Sequence, residues 1–170
     1  MPRRILVIGC SGAGKSTLAR VIAKRYQLPL IHLDRCYWRP GWIGPSKIEW
    51  AEEVERLIAA PAWAIHGNFS STMHRRAEVA DAIVFLDLPR RLCLMRVLRR
   101  VVLGYGRGRA DVAPGCPERF DWAFLKWIWN YPTRSRAKTL KLLQEFPRIK
   151  VVLNSRLDVR VWSGSGCPFS

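Results

Sequence analysis

The segment Gly9-Cys10-Ser11-Gly12-Ala13-Gly14-Lys15-Ser16-Thr17 constrains this chain more than any other. It fits the pattern G-x-x-x-x-G-K-[ST], and it sits between a short apolar run, Arg4-Ile-Leu-Val-Ile8, and a segment whose apolar residues recur at helical spacing. From average composition, a chance match in a chain of this length is on the order of one in a hundred, and the strand-before, helix-after placement lowers that further. Gly12 and Gly14 allow positive φ, so that backbone N–H groups turn inward and cradle phosphate oxygens. The start of the following helix adds partial positive charge. Gly9, Ser11, Gly12, Ala13, Gly14, Lys15, Ser16 and Thr17 are therefore expected to hold a nucleoside triphosphate, ATP with Mg²⁺. In that arrangement Lys15 reaches the β- and γ-phosphates, Ser16 ligates Mg²⁺ and Thr17 bonds the α-phosphate.

The rest of the pattern alternates strands and helices. Arg4–Ile8 reads as a buried strand and Leu30–Leu33 as a second, with Asp34 at its end. Arg35–Pro45 reads as an irregular loop. Ser46 with Glu49 forms a capping box that opens a helix to about Ala59. Trp63–His66 is a third strand, followed by Gly67-Asn68 and a helix around Thr72–Val79. Ala82–Asp87 is a fourth strand, after which Pro89 opens a long arginine-rich helix. Gly104–Pro117 reads as a mobile loop, then helices near Glu118–Trp129 and Thr133–Glu145 lead to a fifth strand, Ile149–Leu153. Crossover-length connections make the sheet parallel and covered on both faces. Ligands of such sheets bind beyond the carboxyl ends of the strands, where Gly9, Asp34, His66-Gly67-Asn68 and Asp87 would meet. Residues 1–162 are expected to form one domain with a lid at about 104–117, and 163–170 to fray.

The formal net charge is +16, and it is uneven. Residues 1–85 carry 12 basic and 7 acidic side chains, 12 − 7 = +5; residues 86–170 carry 17 and 6, 17 − 6 = +11. Such an excess implies polyanionic partners: a triphosphate, a phosphorylated substrate or a nucleic acid. The five cysteines are scattered, with no C-x-x-C pair, which argues against a disulfide framework and suits a reducing compartment. No recognisable ligand spacing supports a metal site around His32, Cys36 and His66. No apolar run approaches the ~18–20 residues that cross a bilayer, and the N-terminus does not read as a signal peptide. A cytoplasmic protein without a membrane partner is the expectation.

Several motifs together resemble the "DNA topology modulation" group of small P-loop kinases, which is similar to adenylate kinases. They are Gly9–Thr17; His32-Leu-Asp34 with Tyr37-Trp38 and Pro40-Gly41-Trp42; Gly67-Asn68; the run Ala80–Asp87 with Leu88-Pro89-Arg90-Arg91, Cys93, Arg96 and Arg100; and Gly115-Cys116-Pro117-Glu118-Arg119. The resemblance reaches to about Leu153. It implies a P-loop NTPase fold of three layers, α/β/α, with a five-stranded parallel sheet as in nucleoside and nucleotide kinases, and a short lid. It also implies transfer of the γ-phosphate of Mg-ATP to a nucleotide, nucleoside or similar small acceptor. The alternatives are a nucleic-acid-associated ATPase or polynucleotide kinase using the basic C-terminal half, and an ATP-binding protein with weakened catalysis.

By the same resemblance, Arg96 packs over the ATP base and Arg100 contacts phosphate; four residues apart, they share one helical face. Arg107 and Arg109 in the glycine-rich loop, and Arg134 and Arg136 beyond it, are candidate clamps on phosphate or acceptor. Asp34 is the candidate for Mg²⁺-bound water or the acceptor hydroxyl. Tyr37, Trp38 and Trp42 form a candidate stacking platform for the acceptor, beside Gly67 and Asn68; a local hydrophobic cluster is the competing reading. Asp87 is either a Walker-B-like carboxylate or a strand-end residue bonding backbone amides. Asn154 and Ser155 are candidate contacts to the ATP base. The sequence departs from the group at His66, where an Asp is expected, and in the tail, where Val161-Trp162-Ser-Gly-Ser-Gly stands in place of a closing helix.

Overall fold

The computed structural model describes residues 1–169. Five strands, β1 (Arg4–Gly9), β2 (Leu30–His32), β3 (Trp63–His66), β4 (Ala82–Leu86) and β5 (Ile149–Leu153), pair in parallel in the order β2-β3-β1-β4-β5. β1 lies at the centre, Leu6 opposite Ile65 of β3 on one side and Ile83 of β4 on the other. Its residues alternate between two cores. Ile5 and Val7 pack with Leu18, Ile22, Val97 and Ile128, under α1 (Lys15–Tyr26), α5 (Arg90–Gly104) and α6 (Trp122–Trp129). Leu6 and Ile8 pack with Trp50, Val54, Ala77 and Leu143, under α3 (Lys47–Ile58), α4 (Ser70–Val79) and α7 (Ala137–Glu145). Helices on both faces of one parallel sheet make the expected three layers. Each buried Ile, Leu or Val contributes ~1.5–3 kcal/mol against exposure, so a polar residue at any of Ile5 to Ile8 would be costly.

Local signals place most boundaries. Ser46 and Glu49 form the capping box reciprocally, Glu49 N–H to Ser46 Oγ at 3.2 Å and Ser46 N–H to Glu49 Oε2 at 2.7 Å. Asp121 caps α6 by accepting from Phe124 N–H at 3.0 Å. Pro89 precedes α5, where its missing N–H costs nothing. A wider turn, Pro132–Arg136, runs into α7. Among the described residues no helix is long and apolar enough to cross a membrane.

Three expectations need correction. The second strand stops at His32, and Leu33–Tyr37 is a short helix, α2, so Asp34 sits in its first turn rather than at a strand end. Leu33 is fully buried, and its packing draws the backbone out of the sheet there. The tail does not fray. Ser155 and Asp158 form a second capping box opening α8 (Arg156–Gly164), Tyr26 Oη donates to the Cys167 carbonyl at 2.8 Å, and Phe169 packs on Tyr26 and Trp162; Ser170 lies outside the described residues. The glycine-rich segment at 104–117 is docked rather than loose. Gly41 N–H donates to Gly115 O at 2.8 Å, Trp42 Nε1 donates to Pro117 O at 3.0 Å, and Val112, Ala113 and Cys116 are buried against Trp38 and Trp42.

Candidate active site

The phosphate loop runs from the end of β1 into α1, and its glycines are required where it meets α5. Gly12 has φ +85°, and a Cβ there would lie 2.3 Å from the Cys93 carbonyl oxygen. Gly14, at φ +100°, is the residue before α1. α1 starts without a side-chain cap and without an acidic residue in its first turn, so its first amides are free for an anion. Lys15 folds back, its Nζ donating to the Cys10 carbonyl at 2.9 Å. Burial lowers the Lys15 pKa, opposed first by the Asp34 charge; burial raises that of Asp34, opposed first by Lys15. The two charges thus act on each other electrostatically across the loop. Ser11, Ala13, Ser16 and Thr17 complete the loop; Ala13 is buried and Thr17 exposed.

α5 lies along the loop. Arg96 Nη1 donates to the carbonyls of Gly12 and Ala13 at 3.3 Å each. Arg96 thus buttresses the loop from outside through the guanidinium that the resemblance assigns to the nucleotide base. Arg100 meets Glu118 at 3.0 Å, and lid residue Arg109 meets the same carboxylate at 2.5 Å and Asp111 at 3.6 Å. The Asp111 carboxyl is held low, burial notwithstanding, by Arg109, by its own amide and by the Ser16 hydroxyl. Arg107 is exposed and outside this cluster. Glu118 and Asp111 were missed as site residues by sequence reasoning. Glu118 lies in the run Gly115–Arg119, and no local pattern there marks a carboxylate as the partner of arginines 18 and 9 positions earlier.

The end of β3 is organised by Arg76, which has no exposed surface and, among the described residues, no carboxylate partner. Its guanidinium donates to the carbonyls of Gly67 at 3.1 Å, Phe69 at 2.9 Å and Asn68. Burial pulls its pKa down to about 9. Asn68 Oδ1 accepts from Gly9 N–H at 3.3 Å, tying this loop to β1. Gly67 has φ +135° and packs on Leu33. His66 is 2% exposed and hydrogen-bonded to His32, its opposite number across the β2–β3 register. Its side chain is occupied there, not presented as a substitute for a metal-water carboxylate.

The remaining candidates are placed elsewhere. Asp87 and Arg136 form a two-pronged pair at 2.7 and 2.7 Å, so neither stands free toward phosphate. Arg134 is exposed. Asn154 N–H and Ser155 N–H donate to Asp158, and the Ser155 hydroxyl accepts from Asp158 N–H, all within the α8 cap. The aromatic trio is clustered: Tyr37 packs against Trp38, Trp50 and Phe69, and Trp38 against Trp42, with Trp38 and Trp42 also against the 104–117 segment.

The donor set suits Mg²⁺ as a nucleotide complex. Among the described residues no group of three or more His, Cys, Asp or Glu side chains could hold a metal ion. Mg²⁺ characteristically takes one or two protein oxygens and completes its shell with phosphates and water. The Ser16 hydroxyl and the Asp34 carboxylate are oxygen donors of that kind.

No protein-family model matches the sequence. The sequence is 30% identical over 146 residues to the uncharacterized protein YqaC of Bacillus subtilis (strain 168), covering 81% of this chain and 80% of that one. Among solved structures, the chain is similar to a shikimate kinase from Bacteroides thetaiotaomicron, with TM-score 0.54 and 16% identity over 97% of this chain and 96% of that one. It is similar to a gluconokinase from Sinorhizobium meliloti, with TM-score 0.55 and 17% identity over 98% and 91% of the two chains. It is also similar to a deoxyadenosine kinase from M. mycoides, with TM-score 0.53 and 12% identity over 95% of each chain. At these identities the likeness establishes the fold, that of P-loop kinases.

Proposed function

This chain belongs to one family with YqaC of Bacillus subtilis, and we propose that it is an ATP-dependent kinase acting on a small acceptor. The observation that carries this reading is the phosphate loop at the end of the central strand, with Lys15 opening the helix behind it and Arg100 and Arg109 gathered on Glu118. The kinase fold supports it, because the solved neighbours are kinases of shikimate, gluconate and deoxyadenosine by description. The likeness to adenylate kinases, and cytoplasmic location, are parts of this proposal.

On this reading the loop amides and Lys15 hold the β- and γ-phosphates. Mg²⁺, held by Ser16 with Asp34 nearby, would neutralise charge on the phosphate oxygens. Asp34 takes the proton from the acceptor hydroxyl as that oxygen bonds to the γ-phosphorus. The bond from the γ-phosphorus to the β–γ bridging oxygen breaks, and ADP leaves. Burial suits Asp34 to this, because a carboxylate with a raised pKa is the stronger base. Arg100 and Arg109 supply charge to the transferring group, where positioning does most of the work.

The test is turnover of labelled ATP with a panel of nucleosides, nucleotides, sugar acids and short oligonucleotides. Phosphate transfer to a small acceptor, lost in Lys15→Ala, is expected. ATP turnover only in the presence of oligonucleotide would replace this reading with a nucleic-acid-dependent one. Unchanged ATP affinity in Lys15→Ala would remove it.

A further inference from the structure

Glu118 is 5% exposed and joins two guanidiniums that come from different elements. Its Oε1 lies 3.0 Å from Arg100 Nε, on α5, and 2.5 Å from Arg109 Nε, in the lid. Both contacts use the inner Nε atoms. Among the described residues the terminal amino groups of Arg100 and Arg109 make no hydrogen bond, and Arg109 Nη1 has a second carboxylate near it, Asp111 at 3.6 Å. The contact between Glu118 and Arg100 is ionic without an aligned hydrogen bond, since Arg100 Nε and Glu118 Oε1 are both buried and lack a hydrogen-bond partner. The backbone of Glu118 is tied to the lid at the same place: its N–H donates to Arg107 O and its carbonyl accepts from Gly106 N–H, both at 2.9 Å.

This geometry has one electrostatic consequence. Two guanidiniums brought together in a shielded site repel each other, and the carboxylate between them offsets that repulsion. Burial and the Arg109 charge both depress the Arg100 pKa, and Glu118 opposes them. Terminal amino groups that make no hydrogen bond to the protein remain as donors for a second anion.

We propose that Glu118 is a positioning residue, coupling Arg100 to Arg109 and holding their terminal amino groups ready for the phosphates of the bound nucleotide. The proposal rests on the nucleotide-site reading above. Glu118 touches no substrate itself. It ties the docked 104–117 segment and the placement of both arginines together, because the carboxylate sits on that segment's backbone and on the guanidinium of α5.

Calorimetric ATP affinity of the full chain, beside thermal melting, tests it. Glu118→Gln keeps the shape and removes the charge, and is expected to weaken ATP binding by about tenfold or more. Glu118→Asp should recover part of that loss. In an Arg109→Ala background, Glu118→Gln should have at most about a twofold further effect, since the pair acts as a unit. A purely structural role would lower the melting temperature with ATP affinity unchanged, or would show the full effect in both backgrounds; either result overturns the proposal. Lys15→Ala separates the two claims. If it leaves ATP affinity intact, the nucleotide-site reading fails and this inference with it. If Lys15→Ala weakens binding while Glu118→Gln does not, only the inference fails.

Discussion

His66 Nε2 lies 2.5 Å from His32 Nδ1, the two rings meeting edge to face at 88° with centroids 4.6 Å apart. Burial and the neighbouring His32 push the His66 pKa down to about 3. An unfolded imidazole takes its proton near pH ~6.5, so the unfolded chain binds more protons between those values. Stability therefore rises with pH through that window and is lost as pH falls from about 6.5 toward 3. Thermal melting from pH 7 to pH 5 should show this loss, and His66→Gln should flatten it. An equal slope in wild type and His66→Gln would refute the assignment. His66 should likewise contribute no inflection near neutrality to a pH–rate profile.

Lys15→Ala should abolish phosphoryl transfer and weaken ATP binding while melting close to wild type. Lys15 Nζ makes one hydrogen bond, to Cys10 O at 2.9 Å, worth ~0.5–1.5 kcal/mol net, so its loss is small against whole-chain stability. Kinetics with labelled ATP and circular dichroism decide the matter, and a variant that fails to fold would contradict the expectation.

Gly12→Ala should cost at least ~2 kcal/mol, from a left-handed backbone and an overpacked contact combined. The new Cβ would meet the Cys93 carbonyl at 2.3 Å and Val97 Cγ2 at 3.0 Å. Denaturant midpoints measure it. Gly108→Ala, which meets nothing within 4 Å, is the control and should stay within ~0.5 kcal/mol of wild type.

Arg136→Ala should lower stability by ~1 kcal/mol, because the Arg136 side chain is 42% exposed and solvent screens much of its pairing with Asp87. It should leave kcat/KM for ATP within about twofold, since the guanidinium is spent on Asp87. A tenfold loss in kcat/KM with unchanged stability would return Arg136 to the phosphate clamps.

The parallel sheet, its two covering layers and the phosphate loop were legible in the sequence because their signals are local. Continuous apolar runs mark strands buried on both faces, Ser46 with Glu49 and Pro89 mark helix starts, and the glycine spacing with Lys15 and Ser16 marks the loop. All of these act within a few residues of one another. What the tertiary structure alone decided is how the charged and aromatic side chains are shared out. Arg96 could have faced a base or the loop carbonyls. Arg136 could have faced phosphate or Asp87. Trp42 could have faced an acceptor or the lid, and His66 a metal or His32. Each choice depends on a partner 30 to 85 positions away. Glu118 shows the same limit, since its meaning comes from two arginines, on α5 and in the segment after it, that packing brings to one carboxylate. The physical reason is that burial along one element is written in its own period, whereas a guanidinium or an imidazole satisfies itself with whichever oxygen or nitrogen the packing of other elements delivers.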